Sequence, residues 1–161
     1  MFAFGAMQTD PNFANYRIEA GTGRIVLLDF GAAREIAPGL TAELRQLMRE
    51  SVAGDGEAIR AGLLRLGVFD ADALARHEDR VREMIGLGVA ALNALGRFDF
   101  ADRSIALRLR DEAMALIGDR EFWHIPPADI LFVQRKLAGM YLLATRLKAK
   151  ADLHALMRPW L

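Results

Sequence analysis

Pro38 divides this 161-residue chain into two regimes of hydrophobic patterning. Before it, short apolar runs are separated by glycines; after it, every apolar period is helical. Tyr16-Arg17-Ile18 and Arg24-Ile25-Val26-Leu27-Leu28 flank Glu19-Ala20-Gly21-Thr22-Gly23, which offers two glycines at a turn. Apolar and β-branched runs joined by a Gly-rich loop pair locally, so the pattern predicts a short β-hairpin, expected to be the only sheet. Residues 1–8 read as the end of an apolar helix or as a turn. The fold class is mainly α (α+β): a helical bundle behind a small hairpin near the N-terminus.

The helices announce themselves by caps and stripes. Thr41 is placed to cap a helix carrying Leu44, Leu47, Met48 and Val52 on one face. Asp55 caps the next, with Ile59, Leu63 and Leu66 inward and Gly67 as its stop. Asp70 or Asp72 starts a longer helix through Leu74, Val81, Ile85, Val89 and Leu92, ending near Gly96. Another runs from about Ala101 to Ile117 and stops at Gly118. Ile125-Pro126-Pro127 opens a long helix, because proline is tolerated in a first turn. Its stripe is Ile130, Val133, Leu137, Met140, Tyr141, Ala144 and Leu147. A short last helix holds Leu153, Leu156 and Met157.

Composition narrows the function classes. Lys plus Arg and Asp plus Glu both number 21, and this balance argues against a dedicated nucleic-acid binder. No Cys is present, which excludes disulfides and thiolate metal sites. The opening MFAFGAM lacks the basic start and long apolar core of a signal peptide. The apolar windows Met84-to-Gly96 and Leu137-to-Ala144 fall short of the roughly 20 residues that span a bilayer. The expected protein is soluble or peripheral: cytoplasmic, not secreted, without a transmembrane segment, and open to peripheral contact at the inner membrane.

Chemistry concentrates in the front segment. Asp29-Phe30-Gly31 alone is a weak signal, equally read as a strand running into an acidic turn with Phe30 packed inward. Its context strengthens it: Leu27-Leu28 run straight into the Asp, and Asp10 with Asn15 lies ahead at five-residue spacing. Phosphoryl transfer uses this set in this order. A loop Asp faces the acceptor hydroxyl, an Asn five residues on holds magnesium, and the Asp of Asp-Phe-Gly holds magnesium against the phosphates. Oxygen ligands suit a hard Mg²⁺ that neutralises charge spread over phosphoryl oxygens.

The stretches MQTDPNFAN and LLDFGAAREI together resemble the signature of the UbiB family, the aarF-domain atypical kinases, in which Gln-Thr-Asp-Pro-Asn-Phe/Trp-x-Asn replaces the usual His-Arg-Asp loop. Residue by residue, the resemblance makes Asp10 the catalytic Asp, Asn15 a metal ligand, and Asp29 a metal ligand that also contacts the cofactor with Phe30 and Gly31. The tail PPADILFVQRKLAGMYLLATRLKAK resembles the family's last helix, with Gln134-Arg135-Lys136 where the family usually reads His-Arg-Lys. The resemblance is tight over residues 7–36 and loose beyond. It implies a protein-kinase-like C-lobe, with residues 1–36 as catalytic loop and Asp-Phe-Gly hairpin and residues 37–161 as helical bundle. It also implies Mg²⁺ and ATP or ADP as ligands, a link to ubiquinone biosynthesis, and membrane surfaces, quinone-like lipids or quinone-biosynthesis proteins as partners, with no nucleic acid. No Ala-Pro-Glu follows Ala32-Ala33-Arg34-Glu35-Ile36, which argues against docking of a peptide substrate.

No Gly-rich phosphate loop, gripping strand Lys or partner helix Glu is found among these residues. The chain is therefore expected to be a C-lobe without its N-lobe, a fragment or a truncated reading frame, binding Mg-nucleotide weakly and inactive alone. A non-catalytic helical interaction or lipid-binding module that kept the motif is the alternative. His77, His124 and His154 read as surface or capping residues, and Trp123, Trp160 and Phe122 as packing residues. Residues 77–83 read as a solvated face with i,i+4 pairs. The Met84-to-Gly96 window reads as core before it reads as a lipid-facing surface. Arg135, Lys136, Arg146, Lys148 and Lys150 put positive charge along the long helix, suited to acidic lipid heads or to a solvated helix end alike.

Overall fold

The structure, a computed structural model, describes residues 1–94, 96–118 and 124–161, and of Ile117 the backbone only. The front segment holds β1 (Ala6–Gln8), β2 (Tyr16–Ile18), β3 (Ile25–Leu27) and β4 (Ala33–Glu35). The expected hairpin is there: β2 pairs antiparallel with β3, Tyr16 opposite Leu27. Gly21 and Gly23 turn it with φ of 93° and 70°, a region that side chains with a Cβ rarely enter.

The hairpin is not the only sheet. Residues 6–8 form a strand rather than a helix end, pairing antiparallel with β4 so that Met7 lies opposite Arg34. Far along the chain, β5 (Phe98–Asp99) pairs with β6 (Lys150–Ala151). Strands of two or three residues are too short to show a period, and their partners are distant, so no local pattern announces them.

Helices α1 (Pro38–Ala53), α2 (Gly56–Arg65), α3 (Ala71–Arg76), α4 (Glu78–Leu92), α5 (Ser104–Ile117), α6 (Ala128–Arg146) and α7 (Leu153–Met157) build the rest. The protein is mainly α with small antiparallel sheets, as expected. Asp55 caps α2 by accepting from the Ala58 N–H at 3.0 Å. Gly67 ends it with φ 67°, and the bonds Val68 N–H to Leu63 C=O and Gly67 N–H to Leu64 C=O satisfy the terminal carbonyls.

Three helix expectations need correction. Thr41 does not cap α1: Pro38 occupies the first turn after Ala37, and the Thr41 hydroxyl donates back to the Ala37 carbonyl at 3.3 Å. The helix expected from Asp70 to Gly96 is two helices, broken at His77, whose φ of −120° and ψ of 30° are not helical. The bonds His77 N–H to Ala73 C=O and Val81 N–H to His77 C=O carry the ladder across, so the apolar stripe runs through the break and hides it. Of the stripe expected on α6, Ile130 and Val133 are buried and Tyr141 and Ala144 half-buried. Leu137, however, is 64% exposed, Met140 is exposed too, and Leu147, just past the helix end, is 67% exposed. Periodicity defines a stripe and does not say whether anything covers all of it.

Met7, Ile36 and Val133 form a buried cluster, with Leu40, Leu44 and Phe132 packed around it. The cluster seats the β1–β4 sheet on α1 and α6, and each such side chain contributes about 1.5–3 kcal/mol. Helix α4 touches α1, α2, α3 and α5. Between α1 and α2, buried Glu50 accepts from Arg65 Nη2 and from Gln46, both at 3.0 Å, while Arg65 Nε bonds Glu43 at 2.9 Å. These bonds to Glu43 and Glu50 raise the Arg65 pKa further above its ordinary value.

Within the Met84-to-Gly96 window the described large apolar side chains are half-buried, in keeping with a core role. Residues 77–83 are a solvated face only in part. Glu78, Asp79, Arg80, Arg82 and Glu83 are exposed, with Arg82 on Glu78 at 2.7 Å and Arg80 and Glu83 reaching Glu112 and Arg108 on α5. Val81 is 2% exposed and His77 half-buried. His124 lies 2.8 Å from the Gly67 carbonyl and His154 2.7 Å from Asn93 Oδ1. Trp160 packs at 6.2 Å on Phe2; Phe122 and Trp123 lie outside the described residues. No helix among the described residues is long and apolar enough to cross a membrane.

Asp99 and Lys150 join β5 to β6 through a 2.8 Å ion pair. The Lys150 hydrogen bond, then the Ala101 N–H, hold the Asp99 carboxyl below its ordinary 3.8. A lowered folded value means that this stabilisation is complete above 3.8 and is lost as the pH falls through the folded value. Hydrogen exchange at the Phe100 amide, bonded to the Ala149 carbonyl at 3.0 Å, is expected to lose protection in that acid window. Lys150→Ala should reduce the pH dependence of this protection.

Candidate functional site

The segment from Gln8 to Asn15 is held at both ends. Thr9, 6% exposed, bonds the Ala32 carbonyl twice, through its N–H at 2.9 Å and its hydroxyl at 2.8 Å. Gln8 then spans the two halves of the motif. Its Oε1 accepts from the Asp10 N–H, and its Nε2 donates to the Asp29 carbonyl at 3.3 Å. Asn12 Oδ1 accepts from the Ala14 N–H at 3.0 Å and starts the 3-10 turn Phe13–Asn15.

That turn brings Asn15 back onto Asp10. Asn15 Nδ2 donates to the Asp10 carbonyl at 3.2 Å and to Asp10 Oδ2 at 3.1 Å, while the Asn15 carbonyl accepts from the Leu28 N–H at 3.0 Å. Asp29 follows directly. Its Oδ1 accepts from the Gly31 N–H at 2.7 Å, so Asp29-Phe30-Gly31 is a tight turn closed by its own carboxylate. Phe30 is 64% exposed rather than packed inward. Asp10 and Asn15 are thus in direct contact, and Asp29 is tied to Asp10 through Gln8.

Helix α6 supports this loop from one side. A Cβ at Gly139 would lie 2.0 Å from Pro11 Cγ, so the proline ring rests where any side chain would be. Arg135 Nη2 stands 3.5 Å from Asp10 Oδ1, Lys136 Nζ donates to the Tyr16 hydroxyl at 3.3 Å, and Arg146 lies over the Phe13 ring at 5.2 Å. With Lys150 on Asp99, four of the five cations assigned to the long helix are engaged with protein groups; Lys148 and Lys150 lie beyond its end.

Sequence reasoning singled out Asp10, Asn15, Asp29, Phe30 and Gly31. It missed Gln8 and Thr9, which join the two motif halves, and it gave Arg135 and Gly139 no role at the loop. Gly139 did leave a trace, since an interior helix glycine costs about 1 kcal/mol and calls for a packing reason. Arg135 left none, because a cation on a helix face is ordinary.

The oxygens left available at Asn15 and Asp29 are of the hard type that magnesium takes. Asn15 spends Nδ2 on Asp10, which leaves its Oδ1 as a hard oxygen ligand, and Asp29 Oδ2 makes no hydrogen bond among the described residues. No group of three or more His, Cys, Asp or Glu side chains that could hold a metal occurs among the described residues. Mg²⁺ seldom uses an all-protein cage; one or two protein oxygens with phosphate and water complete its shell. Two clefts of about 360 and 440 Å³ lie elsewhere, one beside Asn93 and His154, the other beside Arg60 and Val89.

The family model of the ABC1 atypical kinase-like domain matches residues 1–62. The chain is 31% identical over 152 residues to "Atypical kinase COQ8B, mitochondrial" of Rattus norvegicus, an alignment covering 92% of this chain and 28% of the relative. It is 29% identical over 148 residues to "Atypical kinase COQ8, mitochondrial" of Saccharomyces cerevisiae, covering 91% and 29%. With "Probable serine/threonine-protein kinase abkA" of Dictyostelium discoideum it shares 28% identity over 159 residues, covering 94% and 28%. The chain spans less than a third of the length of these relatives.

Gly139→Ala tests the support given by α6. The added methyl must displace Pro11, and overpacking of this kind costs about 1–3 kcal/mol. Urea unfolding is expected to show that loss, and the Asn15 side-chain amide resonances should move with the loop.

Proposed function

We propose that this chain, whose residues 1–62 match the ABC1 atypical kinase-like domain, is part of an ABC1 (UbiB) atypical kinase and supplies the acidic half of that family's magnesium-nucleotide site. In this reading residues 1–36 are the catalytic loop and Asp-Phe-Gly hairpin of a kinase-like C-lobe, and residues 37–161 are its helical body. The observation that carries the proposal is the bonded unit Asn15–Asp10–Gln8–Asp29, which gathers three residues of the phosphoryl-transfer set on one small scaffold.

Asn15 and Asp29 would hold Mg²⁺, which when bound screens the charge of the phosphate oxygens. Asp10 would accept the hydrogen bond of the acceptor hydroxyl or of water, oriented by the Asn15 amide on its Oδ2. Phe30 and Gly31 would line the cofactor side of the Asp29 turn. The whole protein would hydrolyse ATP or transfer its phosphoryl group in support of ubiquinone biosynthesis, with quinone-like lipids or biosynthetic proteins as partners. In this reading, cover for the phosphates and a gripping Lys would be supplied by other residues of the whole protein. The chain by itself is therefore a weak nucleotide binder without turnover.

A thermal-shift titration with Mg-ADP tests the reading. The expected result is a small rise in Tm that requires magnesium and is lost in Asp29→Asn. A flat response in the parent chain counts against a working site. Magnesium-dependent ATP hydrolysis by residues 1–161 that disappears in Asp29→Ala would overturn the claim that the chain alone has no turnover.

A further inference from the structure

The two carboxylates of the site differ in their electrostatic company. Asp10 has both oxygens engaged, Oδ1 facing Arg135 at 3.5 Å and Oδ2 accepting from Asn15 at 3.1 Å. The Asp29 carboxylate takes one hydrogen bond, from the Gly31 N–H, and no cation pairs with it among the described residues.

Arg135 is placed by the packing of its helix. It lies four residues before Gly139, on the same face of α6, and Gly139 receives the ring of Pro11, the neighbour of Asp10. Lys136 holds Tyr16, the neighbour of Asn15. Two consecutive α6 residues thus grip the two ends of the loop that carries Asp10 and Asn15.

We propose that Arg135 is the positioning residue of Asp10, and that its charge reserves Asp10 for the acceptor side while steering a divalent cation to Asn15 and Asp29. This inference rests on the magnesium reading above and adds the division of labour between the two carboxylates. A cation approaching Asp10 meets the fixed positive charge of Arg135, whereas Asp29 offers its carboxylate without a paired cation. Arg135 is 64% exposed, so solvent screens the effect to a few-fold rather than orders of magnitude.

Two measurements on the purified chain decide the matter. Mn²⁺ titration followed by electron paramagnetic resonance is run on the parent, Arg135→Gln, Arg135→Lys, and Arg135→Gln combined with Asp10→Asn. Metal-free NMR follows the Asn15 side-chain amide, which touches Asp10 directly. Arg135→Gln is expected to bind Mn²⁺ about threefold tighter, Arg135→Lys to match the parent, and the gain to vanish without Asp10. The Asn15 amide should shift in Arg135→Gln and return in Arg135→Lys. Unchanged or weaker Mn²⁺ binding in Arg135→Gln overturns the steering, as does a gain that survives Asp10→Asn; an unmoved Asn15 amide overturns the positioning. If the parent and all variants ignore Mn²⁺, the magnesium reading fails and takes the steering with it. The Asn15 resonance still decides whether Arg135 positions Asp10.

Discussion

A proline ring can rest against a helix backbone only where the helix has no side chain in the way, and on α6 that place is Gly139. The contact of Pro11 with Gly139 sets how closely the loop from Gln8 to Asn15 lies against α6. At that separation Arg135 reaches Asp10 and Lys136 reaches Tyr16, while Arg146 covers Phe13. A larger residue at 139 would lift the loop and weaken all three contacts together. The arrangement of the acidic site therefore depends on one small residue far from it in sequence.

The loop also needs a fixed base, and the β1–β4 pair provides it. Met7 and Ile36 bury beside Val133, so the strand that leads into Gln8 is anchored to the same helix that supports Pro11. Thr9 and Gln8 then transmit this anchoring to the Asp29 turn by hydrogen bonds to the Ala32 and Asp29 carbonyls. Side-chain-to-backbone bonds suit the task, because they fix the path of a short irregular segment that cannot form a longer ladder. The two carboxylates are held by backbone geometry, and their different neighbours follow from which one faces α6.

The parts of the fold legible in sequence were those whose signal is local. The β2–β3 hairpin showed in its two glycines, α2 in Asp55 and Gly67, and α6 in the prolines before it. The strands β1, β4, β5 and β6 were not legible, being too short for a period and paired with distant partners. The break at His77 was masked by an apolar stripe that continues across it. The stripe named Leu137, Met140 and Leu147 as inward, but all three are exposed, while Ile130 and Val133 are buried and Tyr141, against Phe100, and Ala144 are half-buried.

For the site, the sequence alone determined the chemical inventory: Asp10, Asn15 and Asp29, at spacings that suit hard oxygen ligation and phosphoryl chemistry. Such an inventory is readable because five-residue spacing and a tripeptide turn are local features. The tertiary structure decided which carboxylate meets a cation, which side chain bridges the motif halves, and why position 139 is glycine. Those outcomes depend on residues 135–139 approaching residues 8–16. A contact across more than a hundred residues is set by the burial of Met7, Ile36 and Val133, and no local pattern encodes it.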